Sequence, residues 1–326
     1  MFARSLPLIA CALLGAGCAT TRARPPGELI GVTRTAELDA QAPPPKEPEL
    51  AAPLPEDIVE RSALPYHGVR TRDSAQLTPA DLGLELSRAD VICVGEEHPN
   101  PHHHWAQLRL LTDLASRARM AGRQLGVGFE MFARPAQPAL DRYYRGKLDE
   151  QGLLEEVDWD TSWGFDFSLY RPLLEASRAR NMPIVALNAP RELTRAVAHE
   201  GIEGLNDDQT RALPELDLGD REHRRLFGQA MESHPPSPGG FRNMYAAQVV
   251  WDETMAETAA AFVNDRLPAR QLVVFAGVGH CHRSAIPERI ERRADAAVVS
   301  VRPLVVSTGE TPALTGYDYA FVMTGS

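Results

Sequence analysis

Two similar motifs in this sequence carry the residue types that acid–base and metal chemistry need. Gly95-Glu96-Glu97-His98 and Gly277-Val278-Gly279-His280 each follow a short apolar run, and Glu130 and Asn188 each follow another. Histidine exchanges protons near neutral pH and binds metals, while a carboxylate serves as a base or as a ligand. Polar residues also follow strands simply because loops are exposed to solvent, but four strand ends that carry such residues together indicate one site.

Strands and helices must alternate along the chain for these residues to meet. The apolar runs predict strands at 91–94, 125–129, 183–187, 272–276, 298–301 and 319–323. Helical signals predict helices at 78–88, 99–121, 136–144, 168–180, 243–264 and 284–293, and another from 190. Continuously apolar strands between helices are typical of a parallel sheet covered on both faces, with its site outside the carboxyl ends of the strands. We therefore predict a doubly wound α/β fold, in which the helical and partly polar segment 201–240 is an insertion over the sheet.

Two of the predicted helices carry polar side chains that could reach this edge of the sheet. Only the last residue of the run His102-His103-His104 shares a face with Leu108, so it points toward the sheet, whereas the first falls on a solvated face. Gln248 and Asp252 lie four residues apart on a later helix. Asp252 is therefore either a surface residue or a buried carboxylate that needs one of the histidines as its partner.

Several other residues keep two interpretations each. Asn188 either caps the helix that follows it or belongs to the site. The rings of Trp159 and Trp163 either wall a pocket or fill core. Cys93 and Cys281 could form one bridge in an oxidising compartment, or Cys93 is simply a buried residue of its strand.

The N-terminus has the features of a secretory signal. Met1 to Arg4 precede the apolar run Leu6 to Leu14, and Gly15-Ala16-Gly17-Cys18 then resembles the lipobox of bacterial lipoproteins. A signal that is cleaved without lipidation is the alternative. Residues 19–60 carry eight of the 26 prolines and no periodicity, which is typical of an extended tether. We predict a signal at 1–17, lipidation of Cys18 as the only membrane anchor, a tether at 18–60 and a folded domain at 61–326.

The composition narrows the class of protein further. The chain has 326 residues, 44% of them hydrophobic, and 34 Lys and Arg against 44 Asp and Glu give a formal charge of -10. Such a chain is globular and long enough to bury a full core. Binding to a nucleic-acid backbone needs clustered Lys and Arg, and no such block occurs, so we expect no nucleic-acid partner.

The motifs, taken in order, resemble the ChaN-like haem-binding uptake family of the Tiki superfamily. The resemblance covers nearly all of residues 88–323, and its one noted departure is Pro99, where the family usually has an acidic residue. The motifs that carry it are Gly95 to Pro101 with His104, Gly128 to Phe132, Trp159 to Trp163 with Tyr170, Asn188 to Arg191, Gln248 to Ala256, and Gly277 to His280 with Ile286-Pro287.

The resemblance implies a fold, a ligand and a location. The fold would be a three-layer α/β/α domain of the EreA and ChaN type with a mainly parallel sheet. The ligand would be haem, held by a homodimer that encloses the porphyrin, and the protein would be an envelope lipoprotein that serves haem or iron uptake. The wider superfamily also includes metal-dependent hydrolases. Their active-site positions correspond here to Glu96, His98, Glu130 and His280.

The leading hypothesis from the sequence is haem binding. Haem iron takes nitrogen or phenolate donors, which His98, His104, His280, Tyr170 and Tyr143 could supply. Tyr170 has a second interpretation as a core residue. Arg191 either pairs with a haem propionate or faces solvent.

Two other hypotheses remain open at this stage. One is a metal-dependent hydrolase in which His98, His280, Glu96 and Glu130 hold a divalent ion or act as its base. The sequence has neither a His-Glu-X-X-His motif nor a Gly-X-Ser-X-Gly motif. The other is a scaffold without a small ligand. A wide apolar cleft beside the site would favour a porphyrin, whereas a polar cup would suit a hydrated ion.

Overall fold

An eight-stranded sheet forms the centre of the fold. The computed structural model describes residues 58–232, 240–265, 269–307 and 314–325. The strands are β1 (Tyr66–Arg70), β2 (Ala75–Leu77), β3 (Val91–Glu96), β4 (Gln124–Ala133), β5 (Ile184–Asn188), β6 (Arg270–Gly277), β7 (Val298–Ser307) and β8 (Tyr319–Gly325). Their order across the sheet is β2-β1-β8-β7-β3-β6-β4-β5. Strand β1 is antiparallel to both of its neighbours and every other adjacent pair is parallel, so the sheet is mainly parallel.

Helices cover both faces of the sheet. They are α1 (Ile58–Arg61), α2 (Pro79–Leu86), α3 (Pro101–Met120), α4 (Gln137–Tyr144), α5 (Glu150–Glu156), α6 (Trp159–Ser162), α7 (Arg171–Ala179), α8 (Arg191–Glu200), α9 (Asp207–Arg211), α10 (Arg221–Met231), α11 (Gly240–Asn264), α12 (Val278–Cys281) and α13 (Ile286–Glu291). Alternate residues of β3 face the two helical layers. Ile92 and Val94 pack in a core with α2, α3 and α7, whereas Val91 and Cys93 pack with α11 and α13. The predicted three-layer α/β/α fold is confirmed.

The central strands are buried along their whole length. All six residues of β3 are buried, including the carboxylate that ends it, Glu96. Strands covered on both faces have no solvated side, which is why they appear in the sequence as continuous apolar runs. A buried carboxylate at such a position needs hydrogen-bond donors around it.

The hairpin of β1 and β2 is the main part of the sheet that the apolar pattern does not predict. Only Gly68 is buried among the five residues of β1, so the segment has no apolar run. The strand exists because it pairs with β8, which lies about 250 residues later in the sequence. Local periodicity carries no information about such a distant partner.

Helix starts differ slightly from the predicted ones. The helix expected from residue 99 begins at Pro101, because Asn100 caps it by accepting a hydrogen bond from the His102 N–H at 3.1 Å. The helix expected from residue 168 begins at Arg171, after a 3₁₀ turn at Phe167–Leu169.

The expected insertion lies between α8 and α11 and contains α9 and α10. Asp220 caps α10 by accepting a hydrogen bond from the His223 N–H at 3.0 Å. His223 is the one buried residue of α10, and its ring packs against Tyr245 of α11. The insertion therefore meets α11 through a buried polar side chain, and its Leu205, Leu213 and Leu216 pack against the apolar cluster of α8 and α11.

The N-terminal predictions fall almost entirely outside the described residues. These are the signal at 1–17, the lipidated Cys18 and the tether at 18–60, of which only the last three residues are described, in α1. Among the helices of the described ranges, none is both long enough and apolar enough to cross a bilayer.

Candidate functional site

The carboxyl ends of three adjacent strands bring the two motifs together. Glu96 ends β3 and Gly277 ends β6, and the two residues are partners in the parallel register. Strand β4 pairs with the other side of β6 and carries Glu130 near its end. His98 follows β3 by two residues, and His280 lies in the single turn of α12 that follows β6. Each motif thus delivers one histidine to the same edge of the sheet.

Glu96 and His98 form the first hydrogen-bonded pair. The Nδ1 atom of His98 lies 2.9 Å from Oε1 of Glu96. Burial alone would lower the pKa of His98, but the hydrogen bond to Glu96 and the charge of Glu130 outweigh it, so this pKa is raised. Because a carboxylate only accepts, Nδ1 carries a proton and Nε2 is the ring atom left for another partner.

Three further side chains surround the Glu96 carboxylate. The hydroxyl of Tyr170 donates to Oε1 at 3.0 Å, and the amide of Gln107 donates to Oε2 at 2.8 Å. His104 Nδ1 lies 3.7 Å from Oε2, while its Nε2 donates to the carbonyl oxygen of His98 at 2.8 Å. Burial and the charge of Glu96 raise the pKa of Tyr170 far above its ordinary value. These contacts satisfy the buried carboxylate and fix the backbone of His98 at the same time.

The run of three histidines at the start of α3 holds the loop in front of it. His103 is buried and accepts a hydrogen bond at Nδ1 from the Glu97 N–H at 2.9 Å. Burial lowers the pKa of His103 to about 4, so its ring is neutral. His102, expected on a solvated face, is half-buried and donates from Nδ1 to the carbonyl oxygen of Ser62 at 2.7 Å. All three rings therefore bond to backbone atoms.

Glu130, His280 and Asp252 form a second chain of hydrogen bonds. Nε2 of His280 lies 3.2 Å from Oε1 of Glu130, and Nδ1 lies 2.6 Å from Oδ1 of Asp252. The other oxygen of Glu130 accepts from the Gly277 N–H at 2.6 Å. Burial would lower the pKa of His280, but the charges of Glu130 and Asp252 raise it well above its ordinary value. The ring is thus a cation held between two carboxylates.

Both carboxylates stay ionised in spite of their burial. Burial raises the pKa of Glu130, but the charge of His280 and its hydrogen bond reverse the shift, so this pKa is lowered. Asp252 is fully buried, and the charge of His280 with the hydrogen bonds from His223 and His280 lowers its pKa strongly. The amide of Gln248 also lies 3.3 Å from Oδ2 of Asp252. Partners of opposite charge are what keeps a buried carboxylate ionised.

The insertion supplies the next side chain in this series of hydrogen bonds, His223. His223 Nε2 lies 2.9 Å from Oδ2 of Asp252, and its Nδ1 lies 3.3 Å from a guanidinium nitrogen of Arg289. Arginine only donates, so Nδ1 of His223 accepts, and Nε2 carries a proton and donates a hydrogen bond to Asp252. Asp252 therefore has a hydrogen-bond donor on each oxygen.

A cleft of about 1070 Å³ opens above the two histidines. His98, Glu130 and His280 line its base, and its walls carry both apolar and polar side chains. The apolar wall residues include Met131, Phe132, Pro135, Ala136, Val157, Trp163, Ala189, Pro190 and Trp251, and the polar ones include Glu156, Asp158, Thr161, Ser162, Arg191, Glu192, Arg195 and Glu200. The ring of His98 contacts Trp163 and Phe165, at centroid distances of 4.8 and 5.0 Å. The site is therefore a wide cleft with a mixed apolar and polar lining and two histidines at its base.

The remaining candidates take different places around the cleft. Asn188 does not cap α8: its amide donates to the carbonyl oxygen of Glu130 at 3.0 Å, and its Oδ1 accepts from the Ala189 N–H at 2.8 Å. Arg191 lines the cleft and donates to the carbonyl oxygen of Thr161.

The two candidate tyrosines lie away from the open space. Tyr170 is fully buried behind Glu96. Tyr143 is buried in α4, under the guanidinium of Arg178, and is not part of the cleft lining.

Sequence reasoning missed Gln107 and His223. Gln107 had a signal, because it lies three residues after His104 and therefore on the same face of α3. His223 had none, since it comes from a polar helix of the insertion, and only the folded chain brings it to Asp252.

A disulfide ties the two motifs together. Cys93 of β3 and Cys281 of α12 are bonded, and both are fully buried. The bridge therefore links the strand that ends in Glu96 to the residue directly after His280. Cys93 is thus both a core residue and half of a disulfide, so both interpretations from the sequence apply.

Within the described ranges, no group of three or more His, Cys, Asp or Glu side chains is arranged to hold a metal ion. The histidines pair with carboxylates instead.

The fold and site define an α/β/α protein with a ligand cleft at the carboxyl edge of its sheet. Residues 83–290, more than half of the chain, match the family described as "Haem-binding uptake, Tiki superfamily, ChaN". The chain belongs to this family.

Individual relatives are more distant. The structure of ChaN from Campylobacter jejuni, described as binding haem cofacially, is 20% identical and covers 80% of this chain and 97% of its own, with a TM-score of 0.65. This likeness shows a shared fold. An erythromycin esterase, EreC, covers 80% of this chain and 83% of its own at 13% identity, and its TM-score of 0.45 is too low to support an argument.

A plant protein is also similar in sequence. Protein RETICULATA-RELATED 5, chloroplastic, of Arabidopsis thaliana is 25% identical over 225 residues, which are 64% of this chain. The match spans only 30% of the length of the Arabidopsis protein.

Proposed function

We propose that this protein is a haem-binding lipoprotein of the cell envelope that acts in haem or iron uptake. Membership of the haem-binding uptake family supports the haem part of the proposal. The observation that carries it is His98, which lines the cleft and whose Nε2 has no hydrogen-bond partner among the described residues.

The size of the cleft and its aromatic rings suit a porphyrin. Its volume of about 1070 Å³ lies just above the roughly 300–1,000 Å³ that small-molecule pockets occupy. Its walls carry Trp163, Phe132 and Trp251, whose rings can pack against a flat apolar ligand. A bound haem would supply an iron that takes an axial nitrogen or phenolate donor.

His98 is the donor that fits best. Its Nδ1 is held by Glu96, which leaves Nε2 for a ligand and makes the ring more basic. Both ring nitrogens of His280 already have carboxylate partners. His104 and Tyr170 are fully buried and bonded elsewhere. In this proposal His280 and Glu130 form the charged base of the cleft.

The arginines of α8 could receive the propionates. Arg191 and Arg195 lie four residues apart on one face of α8, and both line the cleft. Guanidinium groups pair with carboxylates in bidentate fashion. Neither arginine has an ion pair with a carboxylate within the described part of the chain.

Location in the envelope is supported by the disulfide and by the N-terminal sequence. Buried disulfides persist in oxidising compartments, and the bridge between Cys93 and Cys281 suits a secreted domain. The lipobox-like sequence before Cys18 would provide the anchor. We include a homodimer in this proposal because haem binding to Campylobacter ChaN is described as cofacial.

A haemin titration of the full chain, followed by Soret absorbance, tests the haem part. We expect saturable binding with a ligated spectrum that is lost in His98→Ala and kept in His199→Ala, which removes an exposed histidine from the rim of the same cleft. The absence of saturable binding to the unmodified protein would overturn the proposal.

The stoichiometry and the particle mass of the loaded protein test the dimer. Cell fractionation of a Cys18→Ser variant tests the anchor, because the variant should leave the membrane fraction. Growth on haemin as the sole iron source, with and without the protein, tests its role in uptake.

A further inference from the structure

Tyr170 contacts the cleft only through another residue. It is fully buried, and its hydroxyl donates to Oε1 of Glu96 at 3.0 Å. The rings of His104 and Trp159 pack edge-on against it, at centroid distances of 4.7 and 5.4 Å. A phenol enclosed in this way cannot reach a ligand in the cleft without rearranging the core.

The oxygen that Tyr170 contacts is the one that His98 uses. Nδ1 of His98 lies 2.9 Å from Oε1 of Glu96, whereas Gln107 donates to the other oxygen, Oε2, at 2.8 Å. Two donors on one oxygen share its charge, so each hydrogen bond weakens the other. A donor on the second oxygen competes less directly.

We propose that Tyr170 is a positioning residue that fixes Glu96 and limits the charge that its Oε1 gives to His98. Through this shared oxygen, Tyr170 would set how strongly Nε2 of His98 donates to a ligand in the cleft. Partners of a ligating histidine are known to orient its ring and tune its basicity. The part of this inference that concerns iron rests on the proposed haem function, whereas the hydrogen-bond arrangement does not.

The first test uses the protein without haem. In Tyr170→Phe the ring remains but the donor is lost, so the hydrogen bond from His98 to Glu96 should strengthen. We expect the ring Nδ1–H proton of His98 to move downfield in the NMR spectrum at one fixed pH. Tyr143→Phe is the matched control, because it removes a buried hydroxyl away from the cleft, and it should leave this signal unchanged.

Two more variants make the test specific. Gln107→Met removes the donor on the second oxygen and should move the same signal less than Tyr170→Phe does. Glu96→Gln replaces the charged acceptor with a neutral amide of the same shape and should move the signal upfield. Equal shifts in Tyr170→Phe and Tyr143→Phe, or no shift in either, would overturn the inference. If Tyr170→Phe does not fold, Tyr170→Leu, which also removes the donor on Oε1, takes its place in the same comparison.

The second test uses the haem-loaded protein. A stronger donor at Nε2 stabilises ferric over ferrous iron, so Tyr170→Phe should lower the reduction potential while Tyr143→Phe leaves it unchanged. If the unmodified protein does not bind haem but the NMR shifts are as expected, the proposed function fails and the role of Tyr170 stands. If haem binds through His98 and neither readout moves in Tyr170→Phe, the role of Tyr170 fails alone.

Discussion

His280 Nδ1 lies 2.6 Å from Oδ1 of Asp252, so a fully buried carboxylate holds a histidine at the base of the cleft. Asp252 in turn receives a hydrogen bond from His223 of the insertion at 2.9 Å. A helix outside the main α/β/α layers therefore helps to set the charge at the centre of the site.

Asp252→Asn should destabilise the protein and change its response to pH. Removing one member of a buried ion pair costs about 3 kcal/mol of the free energy of unfolding. The folded-state pKa of His280 is raised, so its contribution is fully present below the unfolded pKa of about 6.5 and is lost as the pH rises through the folded value. The folded-state pKa of Asp252 is lowered, so its contribution is present above the unfolded value of about 3.9 and is lost as the pH falls through the folded value.

Urea unfolding between pH 5 and pH 9 measures this effect. The unmodified protein should lose stability on the alkaline side as His280 deprotonates, and the variant should show a flatter alkaline limb. Gln248→Ala, which removes an uncharged amide 3.3 Å from the same carboxylate and 3.2 Å from Nδ1 of His280, should keep the alkaline limb of the unmodified protein. An alkaline limb that is identical in the Asp252→Asn variant would contradict the role assigned to His280.

Gly277→Ala should displace His98. A Cβ at this position would lie 3.1 Å from Cε1 of His98 and 3.3 Å from Nε2, so the ring must shift by a few tenths of an ångström. Crowding of this kind costs about 1–3 kcal/mol. We expect haemin to bind about tenfold more weakly, which corresponds to ~1.4 kcal/mol.

Gly279→Ala is the matched control for that substitution. The control lies two residues away, and a Cβ there meets no atom within 4 Å. Its haemin affinity should equal that of the unmodified protein. Equal weakening in both variants would show that α12, rather than the position of His98, limits binding.

Loss of the disulfide should affect both stability and the site. The bridge joins residues 188 positions apart in the sequence, and removing a native bridge typically costs roughly 2–5 kcal/mol. Its Cys281 is also the last residue of the turn that carries His280. We therefore expect the double variant Cys93→Ala, Cys281→Ala to unfold at a lower urea concentration and to bind haemin more weakly. Full reduction of the unmodified protein should reproduce this result, while a reductant should have no further effect on the double variant.

The fold was open to prediction from the sequence because its central strands are buried on both faces. Fully buried strands such as β3 appear as continuous apolar runs, and the carboxyl ends of parallel strands lie at one edge, where Glu96, His98, Glu130 and His280 all lie. The edge hairpin has no comparable signal.

The contacts that connect the site to distant parts of the chain were not predictable. His223 is a single buried residue on a polar helix, and spacing does not identify Asp252 as its partner. The hydrogen bond from Tyr170 to Glu96 was equally hidden, because a buried tyrosine beside leucines looks the same whether or not its hydroxyl meets a carboxylate. Such contacts depend on tertiary packing, which local periodicity does not encode.

Arg195→Gln should weaken the binding of haemin, which has free carboxylates, but not the binding of a haem whose carboxylates are esterified. Arg195 is exposed, lines the cleft and has no ion pair with a carboxylate among the described residues, so its guanidinium is available to a propionate. An exposed pair of this kind contributes about 0.2–1 kcal/mol, which predicts up to about a fivefold loss in haemin affinity. The dimethyl ester of haem has the same ring and iron but no propionate charge, so its affinity should be equal for the variant and the unmodified protein. Titrations of both ligands in low and high salt measure the effect, which should shrink as salt screens the charge. A loss of equal size for the ester would mean that Arg195 supports the wall of the cleft rather than binding a carboxylate.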